Sequence, residues 1–357
     1  MTANVLPPIE RALQINMCPT DYRHVLHCLP HQLRSFEAQV DRIHLTIDMG
    51  KVTSGRYRED NHGTLAEKLM AFLQQMQAQH PKIVLDIVDY SDAGRALVQE
   101  PFFRSAPKPY PAKAFDGGPF HVYFWGMAAS RARYILHMDS DMLFGGQSQT
   151  WISEAIALGN AQAHALFIAP LGGPPRHDGK IEPQNHHQMP GITDVSDAQL
   201  IARDPLTIAY QTVSTRIFLI DMQRFHQVVG SLEIIRPSFK RRMRSLALAQ
   251  DPSAKPAEEL LSHCLMKGPY RRLDFLGAGS GLYSLHPTYR SEDFYANLPN
   301  LIARIEAGDI PDAQRGDHDI NQSMQDWSQA LAGRSRSKRF KKALRHLISA
   351  NLSRFKA

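Results

Sequence analysis

Residues 133–138, RYILHM, are a mostly apolar run of strand formers that ends on the acidic triplet Asp139-Ser140-Asp141. Met142, Leu143 and Phe144 follow before Gly145-Gly146 break the pattern. A strand this apolar belongs in the middle of a sheet covered on both faces. Two carboxylates at i and i+2, where such a strand emerges, form a hard-oxygen site for a divalent cation on the ligand side of an α/β sheet. A cation there can clamp a diphosphate and stabilise it as a leaving group.

The segments before this triplet alternate. Residues 22–28 read as a strand closed by Leu29-Pro30, and 31–39 as a helix with Leu33, Phe36 and Val40 on one face. Residues 42–47 give a second strand ending at Asp48. Residues 64–79 give a longer helix, with Leu65, Leu69, Phe72, Leu73 and Met76 at helical spacing. A third strand over 82–88 ends at Asp89, 119–131 is helical, and 134–138 delivers the carboxylate pair. Strands separated by helices predict an α/β fold with a mostly parallel, doubly wound sheet. Asp48, Asp89 and Asp139/Asp141 then all fall at strand carboxyl ends.

After residue 150 the pattern loosens. Residues 151–158 are helical and 165–169 strand-like, followed by a Gly-, Pro- and His-rich loop over 171–197, read as a surface or acceptor-side loop. Residues 212–220 return as a strand and 222–229 as a helix. The basic run 239–244, FKRRMR, reads as a solvated helix face. A second acidic pattern, Asp317-His318-Asp319, has no strand before it and reads as a solvated turn. Gly277-Ala278-Gly279-Ser280-Gly281 lacks the lysine of a phosphate loop and reads as a turn or flexible lid.

A chain of 357 residues is long enough for a large core, and no stretch reaches the ~18 apolar residues of a spanning helix. The first residues carry no basic-then-apolar leader, and Cys18, Cys28 and Cys264 have no metal-ligand spacing. Both features point to a reducing, cytoplasmic setting. Net charge is +6, yet residues 334–357 hold nine Lys/Arg and no acid, so the remaining chain is net acidic. That argues against a nucleic-acid partner, whose binding face would carry the charge. In the same tail Phe340, Leu344, Leu347, Ile348, Leu352 and Phe355 share a helical face. Such a basic amphipathic segment suits either an anionic membrane surface, hence a peripheral position on the inner face, or docking on the protein's own body.

In order and spacing, residues 20–290 resemble a nucleotide-sugar-dependent glycosyltransferase of the GT-A fold, nearest to the large inverting family 2. Leu29-Pro30 matches its first strand end, Asp48 its second, and Gly117-Gly118 with the following helix and Asp139-Ser140-Asp141 its D-x-D segment. Glu258-Glu259 before an apolar helix matches its acidic pair, and His286 in Ser284-Leu285-His286-Pro287 its late histidine. The resemblance implies a Rossmann-like GT-A domain over 1–295, mostly parallel and flanked by helices. Its nucleotide-binding half would span 20–145 and its acceptor half 146–295. A helical C-terminal extension over 296–357 would follow, ending in the basic tail. It also implies a nucleotide-sugar donor, a hydroxyl-bearing acceptor (a glycan, lipid-linked or surface-polysaccharide precursor), and Mn²⁺ or Mg²⁺ as cofactor.

By the same resemblance Asp139, Asp141 and His286 hold the metal, with Asp139 also on the ribose side. Glu259 is the expected general base and Glu258 the next choice, with Pro30 and Asp48 on the donor side. From their own positions, Asp89 at its strand end is a further expected nucleoside contact and Arg290 an expected cation for the diphosphate. Three departures stand out. The acidic pair is Glu-Glu rather than Glu-Asp, the Gln-x-x-Arg-Trp signature of processive synthases is absent, and His121, Tyr123 and Trp125 occupy the helix before D-x-D. Two other readings compete. One is a haloacid-dehalogenase-type phosphatase with Asp139 as nucleophile, although Met142-Leu143 depart from that loop. The other is a non-enzymatic membrane-surface adaptor acting through the tail. A nucleotidyltransferase lacks its N-terminal glycine-rich loop here.

Overall fold

The computed structural model describes residues 10–51, 62–106, 110–177 and 198–332. Strand β1 (Arg11–Met17) leads through a 3-10 turn into helix α1 (Tyr22–Phe36), β2 (Arg42–Ile47), α2 (His62–Gln79), β3 (Ile83–Ile87), α3 (Asp92–Phe102) and α4 (His121–Ser130). Next come β4 (Tyr134–Asp139), β5 (Leu143–Gly145), α5 (Trp151–Ala161) and β6 (Ala165–Gly172). The hairpin β7 (Gln199–Arg203) and β8 (Leu206–Tyr210) precedes β9 (Ile217–Asp221), α6 (Met222–Val228), α7 (Phe239–Ala247), α8 (Ala257–Met266) and β10 (Arg271–Phe275). Strand β11 (Tyr283–Pro287), α9 (Glu292–Glu306), β12 (Asp319–Ile320) and α10 (Ser328–Ala332) complete the described chain.

The sheet runs β3-β2-β1-β4-β9-β6-β10-β8-β7. Strands β3, β2, β1 and β4 are parallel, β9 is reversed between β4 and β6, and β10 is again parallel to β6. Helices cover both faces, so the expected mostly parallel α/β sheet is what forms. Leu13, Ile15 and Met17 of β1 join the core formed with Val25, Leu29 and Leu33 of α1 and Leu69 and Leu73 of α2. The other face of β1 carries Gln14 and Asn16 beneath α4. Gln14 donates to Thr46 Oγ1 at 2.9 Å, so its amide is satisfied inside the core. Gly126 permits this approach, since a Cβ there would collide with Gln14 Nε2 and Thr46 Oγ1.

Four expectations change. Residues 22–28 are the opening of α1 and not a strand, because Val25, Leu29, Leu33 and Phe36 bury one helical stripe. Leu29-Pro30 therefore closes no strand. Pro30 sits inside α1, where it gives up one helical hydrogen bond without ending the helix. The first strand is instead β1, at the centre of the parallel half, and the hairpin β7–β8 also went unread. Lastly, Asp317-His318-Asp319 is no solvated turn: Asp319 opens β12, which pairs with β11 through His286↔Asp319.

The extension expected after residue 295 begins within α9 and is not purely helical. Helix α9 lies along α1, held by Arg23–Glu292 at one end and Arg34–Glu306 at the other. Residues 178–197, most of the histidine-rich loop, and the basic tail 334–357 lie outside the described residues.

Candidate active site

The carboxyl ends of β1, β2 and β4 lie side by side and build one edge of the site. Asp139 ends β4 with Asn16 of β1 as its registered neighbour. The Asp139 N–H donates to the Arg216 carbonyl at 2.8 Å, and the Asp48 N–H to the Met17 carbonyl at 2.8 Å. The opposite edge comes from β11, β12 and the segment between β11 and α9, which supply His286, Asp319 and Arg290.

Asp141 is the pivot and is only 1 % exposed. Its Oδ2 accepts two bonds from Arg290, at 2.6 Å from Nη2 and 3.1 Å from Nε. The third guanidinium nitrogen of Arg290 donates to Asp21 Oδ1 at 2.9 Å, and Asp21 in turn accepts the Cys18 N–H. Asp141 Oδ1, by contrast, is buried and takes no hydrogen bond among the described residues. His286 Nε2 stands 3.6 Å from Asp141 Oδ2, and its Nδ1 stands 3.2 Å from Asp319 Oδ1. Asp319 also receives Arg216 at 3.0 Å. The result is a line of alternating acidic and basic side chains: Asp21, Arg290, Asp141, His286, Asp319, Arg216.

This line sets the electrostatics. Burial works to raise the Asp141 carboxyl, but the Arg290 guanidinium beside it overrides this and holds the group well below the usual range. Asp139 goes the other way, pushed well up by burial and by the neighbouring Asp141 charge. Burial also holds His24 down to about 4, so this ring is neutral where its Nε2 meets Ser140 Oγ at 3.0 Å. For Asp319, burial is outweighed by His286 and Arg216, and the carboxylate stays ionised.

Helix α4 places Tyr123 with its hydroxyl donating to Asp139 Oδ1 at 3.1 Å. The other two aromatic departures pack toward the end of β3: His121 Nε2 meets the Asp89 carbonyl at 3.0 Å, and Trp125 Nε1 donates to Asp86 at 3.0 Å. Asp48 accepts from Gly50 N–H and the Tyr90 hydroxyl, both at 2.9 Å, and pairs with Lys113. Asp89 is spent locally, accepting from the Ser91 N–H and hydroxyl.

The acidic pair separates clearly. Both residues sit in the first turn of α8. Glu258 Oε2 accepts from the Thr215 N–H at 3.1 Å and its hydroxyl at 3.4 Å, one residue before Arg216. Burial raises the Glu258 carboxyl, against the pull of Thr215, Arg216 and Arg272. Glu259 points elsewhere and is held by Lys255 at 2.9 Å and Arg241 at 3.4 Å. Pro30, inside α1, keeps none of the strand-end placement on which its donor contact was expected.

Of the expected residues, the structure therefore brings together Asp139, Asp141, His286 and Arg290, with Glu258 on the adjoining side. Sequence reading missed Asn16, Asp21, Lys113, Arg216 and Asp319. Only Asp319 carried a visible signal, as part of the second D-x-D.

Among the described residues, no three His, Cys, Asp or Glu side chains form a ready cage for a metal ion. The donor set nonetheless fits a hard cation that arrives with a diphosphate. Mg²⁺ is commonly held by one or two carboxylates, with waters and substrate phosphates completing the shell. Asp141 Oδ1 is a buried carboxylate oxygen lacking a partner. The Asp319 contact to Nδ1 is the outer support that metal-binding histidines usually have.

No family model matches the chain and no curated protein matches it. Among solved structures it is similar to an active-site mutant of LgtC, at 11% identity over 73% of this chain and 72% of that one, with a TM-score of 0.35. It is also similar to the galactosyltransferase LgtC in complex with donor and acceptor sugar analogs (10% identity, 73% and 70% covered, TM-score 0.32). A third is TarS 1-349 of S. aureus in complex with UDP-GlcNAc, at 13% identity over 85% of this chain and 68% of that one, TM-score 0.36.

Proposed function

We propose that the protein is a glycosyltransferase of the GT-A type that moves a sugar from a nucleotide-sugar donor to a hydroxyl acceptor. The observation that carries this reading is Asp141. It is a buried carboxylate at the carboxyl end of a parallel strand, with one oxygen free of any described partner and the other facing Arg290 and His286. Ligands bind beyond strand ends of such a sheet. A site that combines a hard-oxygen donor, a supported histidine and two arginines suits a diphosphate.

The division of labour follows from position. Asp141 and His286 hold Mg²⁺ or Mn²⁺, with Asp139 beside them on the ribose side. The bound cation supplies charge neutralisation of the departing diphosphate. Asp48 and the edge of β2 face the nucleoside. Arg290, released from Asp141 as the donor seats, and Arg216 add positive charge along the diphosphate. Glu258 is the general base: it takes the acceptor hydroxyl proton as the acceptor oxygen bonds to the anomeric carbon. The bond from that carbon to phosphate breaks at the same time, and its electron pair leaves with the nucleoside diphosphate. Attack opposite the leaving group inverts the anomeric centre. Glu258 replaces Glu259 in this role because Glu259 is engaged by two cations on the far side of the helix turn.

Incubation with a panel of nucleotide-sugars and acceptor glycosides, read by mass spectrometry for glycosylated product, tests this directly. Transfer from one donor class, with inverted anomeric configuration by NMR, is the expected result. Release of inorganic phosphate from phosphomonoesters without any transfer would contradict it.

A further inference from the structure

Helix α7 carries a surface that its sequence alone suggests is merely solvated. Between residues 234 and 250 the chain has Arg236, Lys240, Arg241, Arg242 and Arg244 and no acid. Within α7 only Ser245 is buried. At about 100° per residue, Ser245 and Arg241 lie on the side facing the body, where Arg241 pairs with Glu259 and stands over the Phe115 ring. Phe239, Met243 and Leu246 share the opposite, narrow arc and are 75%, 50% and 45% exposed. Lys240 and Arg244 border that arc on one side and Arg242 on the other, all three exposed.

Three large apolar side chains in one exposed stripe, with cations along both borders, match a surface that is apolar inside and anionic at its rim. A nucleic acid supplies phosphates but no apolar layer for Phe239 and Met243. An anionic bilayer supplies both, at the boundary of headgroups and acyl chains. We propose that α7 docks this protein on an anionic lipid surface. This is a different segment from the basic tail and is anchored to the body through Arg241.

Flotation of the full chain with phosphatidylcholine vesicles, with and without phosphatidylglycerol, tests the proposal. Wild-type protein is expected to float only with the anionic vesicles and to be released by salt. Replacing Lys240, Arg242 and Arg244 by Gln should lower partitioning about a hundredfold, at roughly fivefold per cation. Phe239→Ser with Met243→Ser should abolish flotation while leaving the thermal midpoint unchanged. If the double variant melts early, Phe239→Ser alone serves as the readout. No flotation of wild type overturns the proposal, as does flotation undiminished in both variants, which would move the contact to another segment. Binding to single-stranded RNA that the Gln variant loses, with vesicles ignored, would make α7 a nucleic-acid surface instead.

Discussion

Asp319 Oδ1 lies 3.2 Å from His286 Nδ1, and through that contact the last described strand reaches the centre of a site begun by β4. The same carboxylate takes Arg216, so it fixes both the ring that faces Asp141 and the arginine beside Asp139. Outer partners of this kind set ring orientation and basicity for metal binding.

Asp319→Asn should therefore weaken Mn²⁺ binding on the order of 10- to 100-fold, measured by calorimetry in the presence of nucleoside diphosphate. An unchanged affinity would show that His286 is oriented by other means or holds no metal.

The two glutamates of α8 give opposite expectations. Glu258→Gln should cut turnover by about 10²- to 10⁴-fold with little change in donor binding. Glu259→Gln should leave turnover within a few-fold and lose at most about 1 kcal/mol of stability from its ion pairs. Equal loss of turnover in both variants would remove Glu258 from its role.

Burial raises the Glu258 carboxyl above its ordinary value of 4.5. A base works only when deprotonated, so kcat/KM should rise with pH through that raised value and then level off. An acid limb at or below an ordinary glutamate value in a full pH profile contradicts this.

Arg290 joins Asp141 to Asp21. Its side chain is 41% exposed while Asp141 is buried, so solvent screens part of the pairing. Arg290→Gln should lower stability by about 1–3 kcal/mol in chelator, and added Mn²⁺ should restore much of the loss. A loss that is identical with and without Mn²⁺ would mean Arg290 and the cation do not share Asp141.

Among the described residues, His24, His44 and His121 are buried and held down to about 4 and His137 to about 3, with burial the largest cause in each. In the unfolded chain they take up protons near pH 6.5. A lowered folded value gives stability that is full above that pH and is lost as pH falls toward the folded value. Each should contribute a loss of about 2 kcal/mol between pH 6.5 and 5. Flat denaturation midpoints over that window would contradict neutral burial.

Much of the first half was legible because long periodic runs left little choice: β2, α2, β3, α4 and β4 follow from their patterns, and β4 delivers its two carboxylates as read. The failures have physical causes. In β1 the apolar alternation is interrupted by Gln14 and Asn16; Gln14 finds its partners in Thr46 of β2 and His137 of β4, which are invisible locally, and itself donates to Asn16. Opening with Tyr22 and Val25, α1 looks strand-like, and Pro30 looks like a terminator, although tertiary burial of Leu29, Leu33 and Phe36 carries the helix through it. Asp319 looked solvated because its partners, Arg216 and His286, are brought to it only by the pairing of β11 with β12. Choosing between Glu258 and Glu259 needed the direction of each side chain from α8, which adjacency in sequence does not give.

Whether Asp141 anchors a metal-bound nucleoside diphosphate is decided by the thermal stability of wild type and Asp141→Asn against nucleoside diphosphates and nucleotide-sugars, with and without Mn²⁺. Wild type should be stabilised by nucleotides of one base, by about 2.7 kcal/mol at a hundredfold excess over Kd, only with Mn²⁺, and the variant not at all. No stabilisation by any nucleotide, or the same stabilisation in Asp141→Asn, would contradict it.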